Sequence, residues 1–467
     1  MYLETFLGSK EFTIDDQNYF SLLSGDYNPV HIDRQFARRS LFGEVVVHGV
    51  HSLIWTLDQF FREFPDYYLE GVEVNFTNPI FLDSTVKIHL QSFENNSAEI
   101  SLTSNRKQVS KVTLLLNKNR NLENKNRILD SFPPEELYND LSPNEILGSH
   151  GKISFFLPLR ALEKKFNFIS KNLTSIQIAA LLSTSRLVGM KCPGLNSLFT
   201  SLSLKFSNCF TARSVSFKVS KYYERFNLIN ISLDSDSFSG SIKAFQRPPL
   251  IDKVDVSKLQ KLITPNEFDK KVALVIGGSR GLGEIVAKII SLGGGKTIIT
   301  YNQGIDDARL IVKDIETLGF ESSYTYLNVL DSDLKLPNGN VTDIYYFASP
   351  RIKSSKDEFD ENLYSYYNSF FCEAAKNIII KANEKYDANL LYFYPSSIFV
   401  DEKPDEFKEY TRSKMKGELM LKKLTSSYPN MKVVCPRLPR LKTDQSQSLI
   451  SVESEKPIPI ILSLLRG

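Results

Sequence analysis

Cysteine is scarce in this chain, with four residues in 467: Cys192, Cys209, Cys372 and Cys435. None forms a C-x-x-C pair and none has a histidine beside it. That spacing argues against a zinc ribbon or a disulfide framework, and sparse thiols suit a reducing compartment. No metal site is expected. Charge of one sign is missing too: 57 Lys and Arg stand against 54 Asp and Glu, a net +3. Nucleic-acid binders usually show a dense basic face, so no nucleic-acid partner is expected. No apolar run reaches the ~18–20 residues of a membrane span. The opening MYLETFLGSKEFTIDD lacks the basic-then-apolar order of a signal peptide. A cytoplasmic protein with no membrane partner is the expectation.

What is present is ordinary for a globular chain, 42% hydrophobic and 24% charged. The length suits about three domains of ~150 residues. Two polar, proline-bearing stretches divide it. One contains NKNRNLENKNR and Pro133-Pro134; the other contains Pro248-Pro249. The expected domains are 1–117, 152–245 and 270–467, with linkers at 118–151 and 246–269.

The first two blocks look alike. HGVHSLIW at 48–55 is followed by VNFTNPIFLDSTVKIHL at 74–90, and PGLNSLF at 193–199 by LKFSNCFTARSVSFKVS at 204–220. In each, Gly-x-x-Ser-Leu is expected to open a helix, and an alternating strand follows. This suggests a duplicated α+β unit. The third block changes rhythm. KVALVIGG, KTIITY, DIYYFAS, NLLYFYPSS and KVVCPR are short apolar strands, most of them separated by helical stretches. That alternation indicates an α/β doubly wound parallel sheet.

The strand KVALVI runs into Gly277-Gly278-Ser279-Arg280-Gly281-Leu282-Gly283, and a helix follows. Glycines at 277, 281 and 283 allow a tight turn and close approach of backbone to a pyrophosphate at a helix N-terminus. Further on, Tyr410 and Lys414 lie four apart on a probable helical face. An ammonium near a phenol stabilises the phenolate, and such a tyrosine can hand a proton to a carbonyl. Ser397 ends a strand ahead of them, where its hydroxyl could reach the same oxygen.

Together these residues closely resemble the short-chain dehydrogenase/reductase family over nearly all of 270–450. The resemblance implies a Rossmann-type domain. It implies that Gly277, Ser279, Arg280, Gly281, Leu282 and Gly283 bind a dinucleotide, with Tyr301, Asn302, Asn328, Ala348, Tyr410 and Lys414. It implies Tyr410 as general acid, Lys414 as its pKa modifier and ribose ligand, and Ser397 as carbonyl stabiliser. Asn368 falls near the family's relay asparagine, with Asn362 as a competitor. The second strand ends Thr300-Tyr301-Asn302, without the acid that would favour NAD(H), and Arg280 offers a cation for a 2′-phosphate. NADP(H) is expected ahead of NAD(H). Three departures stand out: Phe347-Ala348-Ser349-Pro350 replaces the family's Asn-Asn-Ala-Gly, Pro436-Arg437 replaces Pro-Gly, and the family's further strand is not seen after Ile460.

In the first block, Asp26 and His31 lie five apart in a loop-like stretch set by Gly25 and Pro29. A carboxylate and an imidazole on one loop can share a water and move its proton either way. Gly49, at the start of an apolar helix, could offer its N–H to a carbonyl oxygen. The run Ser24-Gly25-Asp26-Tyr27-Asn28-Pro29-Val30-His31, with Ala37 and His48-Gly49, closely resembles the MaoC-like, (R)-specific enoyl-thioester hydratase family. The family implies a hot-dog fold, a long helix wrapped by an antiparallel sheet. It implies Asp26 and His31 as the acid–base pair, Gly49 as carbonyl ligand, and Asn28 and Ser52 as supporting contacts. His48 and His51 read as structural histidines near a helix start. The second block lacks Asp or His in the matching places, so it reads as a non-catalytic repeat completing a double hot-dog, with Gly194 and Ser197 structural.

Both modules would meet on a 3-hydroxyacyl thioester, carried by coenzyme A or an acyl carrier protein. The resulting expectation is a bifunctional reductase and dehydratase/hydratase, with a homodimer as the family's usual assembly. A hydratase with a degenerate reductase and a non-catalytic acyl-binding scaffold remain as alternatives.

Overall fold

The computed structural model describes residues 4–118, 130–207, 211–251, 253–354, 358–386, 389–449 and 452–467. Cys209, Asn208 and most of NKNRNLENKNR lie outside the described residues. The chain separates into two units, Met1–Pro249 with Ser448–Ser451, and Leu250–Gln447 with Val452–Gly467.

The first unit is built on ten strands: β1 (Thr5–Glu11), β2 (Tyr68–Phe76), β3 (Thr85–Glu94), β4 (Ser97–Ser104), β5 (Lys107–Asn117), β6 (His150–Ser154), β7 (Ser197–Phe206), β8 (Ser214–Tyr223), β9 (Leu228–Ser235) and β10 (Phe238–Gln246). Alternation sets their faces. In β4, SAEISLTS, every second side chain is buried. Asn95 and Asn96 take positive φ of 50° and 60° between β3 and β4, the backbone that a two-residue hairpin turn demands. The strands form one antiparallel sheet in the order β1-β3-β4-β5-β2-β7-β10-β9-β8-β6. Read inward from each edge, the two halves repeat one pattern. They join where β2 pairs β7, from Gly71↔Lys205 to Asn75↔Ser201.

Helices in this unit are α1 (Ile14–Ser24), α2 (Pro29–Ile32), α3 (Arg34–Arg39), α4 (Gly49–Glu63), α5 (Pro143–Leu147), α6 (Leu159–Glu163), α7 (Ile169–Asn172) and α8 (Ser175–Arg186). α4 and α8 are each buried round almost their whole circumference. Helices covered on nearly all sides sit inside a core, and the apolar residues of these two share one hydrophobic cluster with the sheet.

Three sequence expectations change here. PGLNSLF does not open a helix: it leads into β7, and the long helix of the second half is α8, upstream. Alternating burial at Leu202, Leu204 and Phe206 shows why the segment is a strand. Phe76 and Phe206 occupy equivalent places in the two halves, since each ends the strand at the seam. The stretch 74–90 is not one strand, because β2 ends before Pro79, which lacks an N–H for a ladder, and β3 begins after Asp83 at φ 57°. The stretch 204–220 divides likewise between β7 and β8.

The second unit carries α9 (Val256–Gln260), β11 (Val272–Ile276), α10 (Gly281–Leu292), β12 (Lys296–Tyr301), α11 (Ile305–Glu316), β13 (Ser322–Tyr326), β14 (Asp343–Tyr346), α12 (Glu361–Asn368), α13 (Ala375–Lys385), β15 (Leu391–Phe393), β16 (Ser396–Ser397), α14 (Phe399–Glu402), α15 (Lys408–Ser427), β17 (Lys432–Val434), β18 (Arg437–Leu438) and α16 (Pro457–Arg466). Six strands form a parallel sheet in the order β13-β12-β11-β14-β15-β17. One apolar cluster joins α10, α11 and α16 to one face, and another joins α13 and α15 to the other. The strand order reverses between β11 and β14, and open α/β sheets bind ligands at the carboxyl ends of strands beside such a reversal. No helix of the described residues is long and apolar enough to cross a membrane.

Candidate active sites

In the first unit, α1 is started by a Thr13 capping box and stopped by Gly25 at φ 74°. The chain then turns through Asp26 and Tyr27 to Asn28, whose side chain caps α2 by accepting from the Val30 N–H at 3.2 Å. Pro29 takes the first helical position, where no N–H is needed. His31 therefore stands on a short helix rather than in a loop. A proton on its Nδ1 reaches the Val46 carbonyl at 2.6 Å, and a carbonyl can only accept. The Nε2 lone pair is left as the basic site.

The structure brings Asp26, His31 and His48 together, with one ligand-type atom from each lying within 4.8 Å of the others. The His31 and His48 rings stack with centroids 3.8 Å apart. His48 Nε2 is 4.0 Å from Asp26 Oδ2. Its Nδ1 lies 3.0 Å from Gln17 Oε1 and its Nε2 3.2 Å from the Asp26 carbonyl, and a neutral ring donates to one of the two. Burial pushes the Asp26 carboxyl up to about 6, against hydrogen bonds from Ser185 and the Asn28 backbone that pull it down. Desolvation takes His31 down to about 4, His51 down to about 3, and His48 well below its ordinary value. At neutral pH the site thus holds a mostly ionised carboxylate among uncharged imidazoles.

The second half of the sheet completes this site. Ser185 on α8 donates to Asp26 Oδ2 at 2.7 Å. α8 continues as a π-helical turn, Leu187–Lys191. A Cβ on Gly189 in that turn would lie 2.1 Å from Asp26 Oδ1, so only glycine allows the carboxylate its place. Asn28 Nδ2 donates towards the carbonyls of Gly189 and Gly194, each at 3.1 Å, and lies 3.4 Å from Ser197 Oγ. Ser185 and Gly189 had no local signal in the sequence.

Gly49 is the first residue of α4, and its N–H has no carbonyl four residues back within the helix. Ser52 is turned elsewhere: its Oγ donates to the Gly49 carbonyl at 2.7 Å, inside its own helix. His51 stacks on Phe20 at 4.7 Å. His89 pairs with Glu4, and His150 bonds the Gly148 carbonyl.

In the second unit, Gly277 at φ 75° and Gly281 at φ 58° form the turn between β11 and α10. A Cβ at Gly277 would meet the Ala348 nitrogen at 2.8 Å, and one at Gly283 the Gly277 carbonyl at 2.5 Å. Both glycines are therefore required for the turn to pack against itself and the chain after β14. Buried Ser279 and partly buried Leu282 lie in the same turn. Tyr301 ends β12 opposite Tyr326, with Asn302 following. Asn328 closes its own turn, donating to Asp331 Oδ1 at 2.6 Å. These residues follow β11, β12, β13 and β14 at their carboxyl ends.

Ser397 on β16 accepts from the Phe399 N–H at 3.2 Å, and its hydroxyl pulls the nearby Tyr410 phenol down against the burial that raises it. Tyr410 and Lys414 stand on α15, as their spacing suggests. The expected lowering of the phenol is not found: desolvation pushes Tyr410 up to about 12. Lys414 Nζ donates to the Pro395 carbonyl at 2.7 Å and lies 5.9 Å from the Tyr410 ring centre. Desolvation brings that ammonium down to about 7, which weakens the field it would lend the phenol. Asn368 ends α12, where a π-helical turn, Ser369–Ala374, begins. Its Oδ1 is buried and without a hydrogen-bond partner. Asn362 sits at the start of α12, with its N–H held by Asp360. Arg437, in place of glycine, forks onto Glu418 at 3.0 and 2.6 Å.

Residues 6–113 match the family model of the MaoC like domain. A peroxisomal hydratase-dehydrogenase-epimerase of Saccharomyces cerevisiae is 36% identical over 76 residues, 16% of this chain and 8% of that protein. A peroxisomal multifunctional enzyme type 2 of Drosophila melanogaster is 32% identical over 81 residues, 17% of this chain and 14% of that protein. Short-chain dehydrogenase/reductase FrzI of a Cladobotryum species is 35% identical over 74 residues, 16% of this chain and 28% of that protein. The chain thus matches under a third of the length of each relative. Among solved structures, an angucycline C-6 ketoreductase, LanV, with bound NADP is 15% identical at a TM-score of 0.39, covering 43% of this chain and 90% of that one. A dehydrogenase/reductase from Sinorhizobium meliloti is 18% identical at 0.38, covering 45% and 92%.

Proposed function

We propose, for a chain that joins a MaoC-like domain to a short-chain dehydrogenase/reductase-like domain, that it reduces 3-oxoacyl thioesters and interconverts the resulting (R)-3-hydroxyacyl thioesters with 2-enoyl thioesters. The substrate would ride on coenzyme A or a carrier protein. The observation that carries this reading is the Asp26–His31 pair in a buried, polar-lined site. One group is raised and the other lowered in pKa, so each sits in the protonation state that water chemistry needs. The first unit would then be a double hot-dog whose halves share one acyl-thioester site.

In hydration, Asp26 and His31 hold the water between them. The Asp26 carboxylate draws a proton as oxygen bonds to C3 of the enoyl group. The electron pair moves onto the thioester oxygen, which the Gly49 N–H would stabilise. A proton returned to C2 completes the addition, and dehydration is the reverse. In the second unit, the glycine cradle, Tyr301, Asn302, Asn328 and Ala348 would hold NADP(H), which supplies a hydride when bound. Tyr410 would give its proton to the ketone oxygen while Ser397 hydrogen-bonds the same atom. Asn368 Oδ1, buried and unpartnered, suits a relay water feeding that proton.

Two absorbance assays test the reading, NADPH loss with acetoacetyl thioesters and hydration of crotonyl thioesters. Asp26→Ala is expected to remove about 10³-fold of hydration alone, and Tyr410→Phe a similar factor of reduction alone. Activity in neither assay, with carrier-protein substrates included, overturns it. The Tyr410 and Lys414 environments favour one second reading, a hydratase whose reductase module binds nucleotide without turnover. NADPH binding with hydration intact and no reduction would select it.

A further inference from the structure

Arg247, the first residue after β10, is only 1% exposed. Its guanidinium lies against the segment that leads into β7. Nε donates to the Ser197 carbonyl and Nη2 to the Leu195 carbonyl, each at 2.7 Å. Its own backbone N–H donates to the Asn196 carbonyl at 2.6 Å. The third nitrogen, Nη1, is buried without a hydrogen-bond partner. No carboxylate of the described residues acts on this charge. Burial alone brings its ionisation down, to about 10, so it remains a cation at neutral pH. A buried cation without a counter-ion is costly, and an apolar side chain of similar volume fills such a place without that cost. Packing alone gives no reason for a charge here.

The same segment receives the loop of Asp26 and His31. Asn28 Nδ2 lies 3.1 Å from the carbonyls of both Gly194 and Leu195, and 3.4 Å from Ser197 Oγ. The Leu195 carbonyl therefore takes two donors, Asn28 and Arg247, one for each lone pair. Asn28 in turn caps α2, which carries His31. One carbonyl thus separates the guanidinium from the loop. Its charge also reaches His31. Desolvation is the main cause that holds this imidazole down, at about 4, and Arg247 adds to it against the Val46 hydrogen bond. The other titratable groups gathered at His31 are Asp26 and His48, and His48 is uncharged. Resting on the hydratase reading of this site, we propose that Arg247 is a positioning residue for it. The guanidinium fork fixes the Gly194–Ser197 segment on which Asn28 docks, and its fixed charge keeps a second cation from forming at His31. The imidazole then meets water with a lone pair, in the place that the dock sets.

The test pairs Arg247→Gln, which removes the charge, with Arg247→Lys, which keeps it; both lose the fork. In the full chain, kcat for hydration of crotonyl thioesters is expected to fall about tenfold in both variants, with KM within about threefold, the pattern of a displaced acid–base pair. The charge is read separately, by NMR of histidine-labelled protein titrated from about pH 8 to about pH 4.5. The His31 signal is expected to begin moving at higher pH in Arg247→Gln than in wild type, and at the wild-type pH in Arg247→Lys. An arginine with only an architectural role would leave His31 alike in the two variants. Hydration within about twofold of wild type in both, or a His31 onset that is the same in Arg247→Gln as in wild type, overturns the proposal. An active wild type with unaffected variants removes the proposal alone; a wild type that hydrates no thioester takes the hydratase reading with it. Thermal melts check the fold, and Arg247→Met supplies the uncharged variant where glutamine does not fold.

Discussion

The two halves of the ten-stranded sheet share a strand order and differ in what precedes their long helix. Ahead of α4 the chain makes the sharp passage through Gly25, Asp26, Asn28 and His31. Ahead of α8 it makes α6 and α7, and no histidine follows His150 anywhere in the sequence. Yet the second half is not idle. It gives the Asp26 carboxylate a hydroxyl donor, Ser185, and a side-chain-free surface, Gly189. One half carries the titrating groups, and the other helps place the carboxylate and gives it a hydrogen bond that lowers its pKa against burial. A repeat without an acid or base can therefore still help build the site.

That division can be broken. Gly189→Ala places a methyl inside the Asp26 carboxylate, and the carboxylate has to shift by about an ångström or more. Hydration by the variant is expected to fall about 10²-fold. A rate within twofold of wild type would return the second half to a purely architectural role. Ser185→Ala sharpens the comparison more gently. It removes a bond that lowers the Asp26 pKa, so that pKa rises further above about 6. In the proposed hydration the carboxylate acts in its ionised form, so the acid limb of the pH–rate profile should move to higher pH. At pH 6 the loss is expected to be about 3–10-fold, vanishing near pH 8.5. An unmoved limb would mean that another group governs it.

The smallest effect concerns stability. The folded pKa of Asp26, about 6, lies above its ordinary 3.8. Burial of the ionised form therefore works against folding: the favourable state is present below about pH 3.8 and is lost as pH rises through about 6. Asp26→Asn should stabilise the fold by about 1–3 kcal/mol at pH 8, with the gain shrinking toward pH 4.5. Urea unfolding at the two pH values measures this. Equal stability at both would place Asp26 in a more solvated setting.

What could be read in the sequence was local. Asp26, Asn28 and His31 lie within six positions, and Gly277 to Gly283 within seven, so composition and spacing were enough to group them. The partners that tune them come from far along the chain: Ser185 is 159 residues from Asp26, and Asp444 faces Arg280 across most of the second unit. No short-range pattern marks such pairs. The second half's long helix was misplaced because SIQIAALLSTSR is buried on every side and shows no helical stripe, whereas PGLNSLF mimicked a motif. β13 went unnoticed because SSYTY is an edge strand with most of its side chains at least partly exposed. The phenol–ammonium pair had the right spacing, but spacing does not reveal desolvation or the Pro395 carbonyl that engages Lys414.

The seam between β2 and β7 has one more effect. Because it joins two halves of a single polypeptide, Asp26 and Gly189 find each other at the same rate and to the same extent at any protein concentration. A site of this kind divided between separate chains would come apart on dilution. Here it persists down to the single molecule.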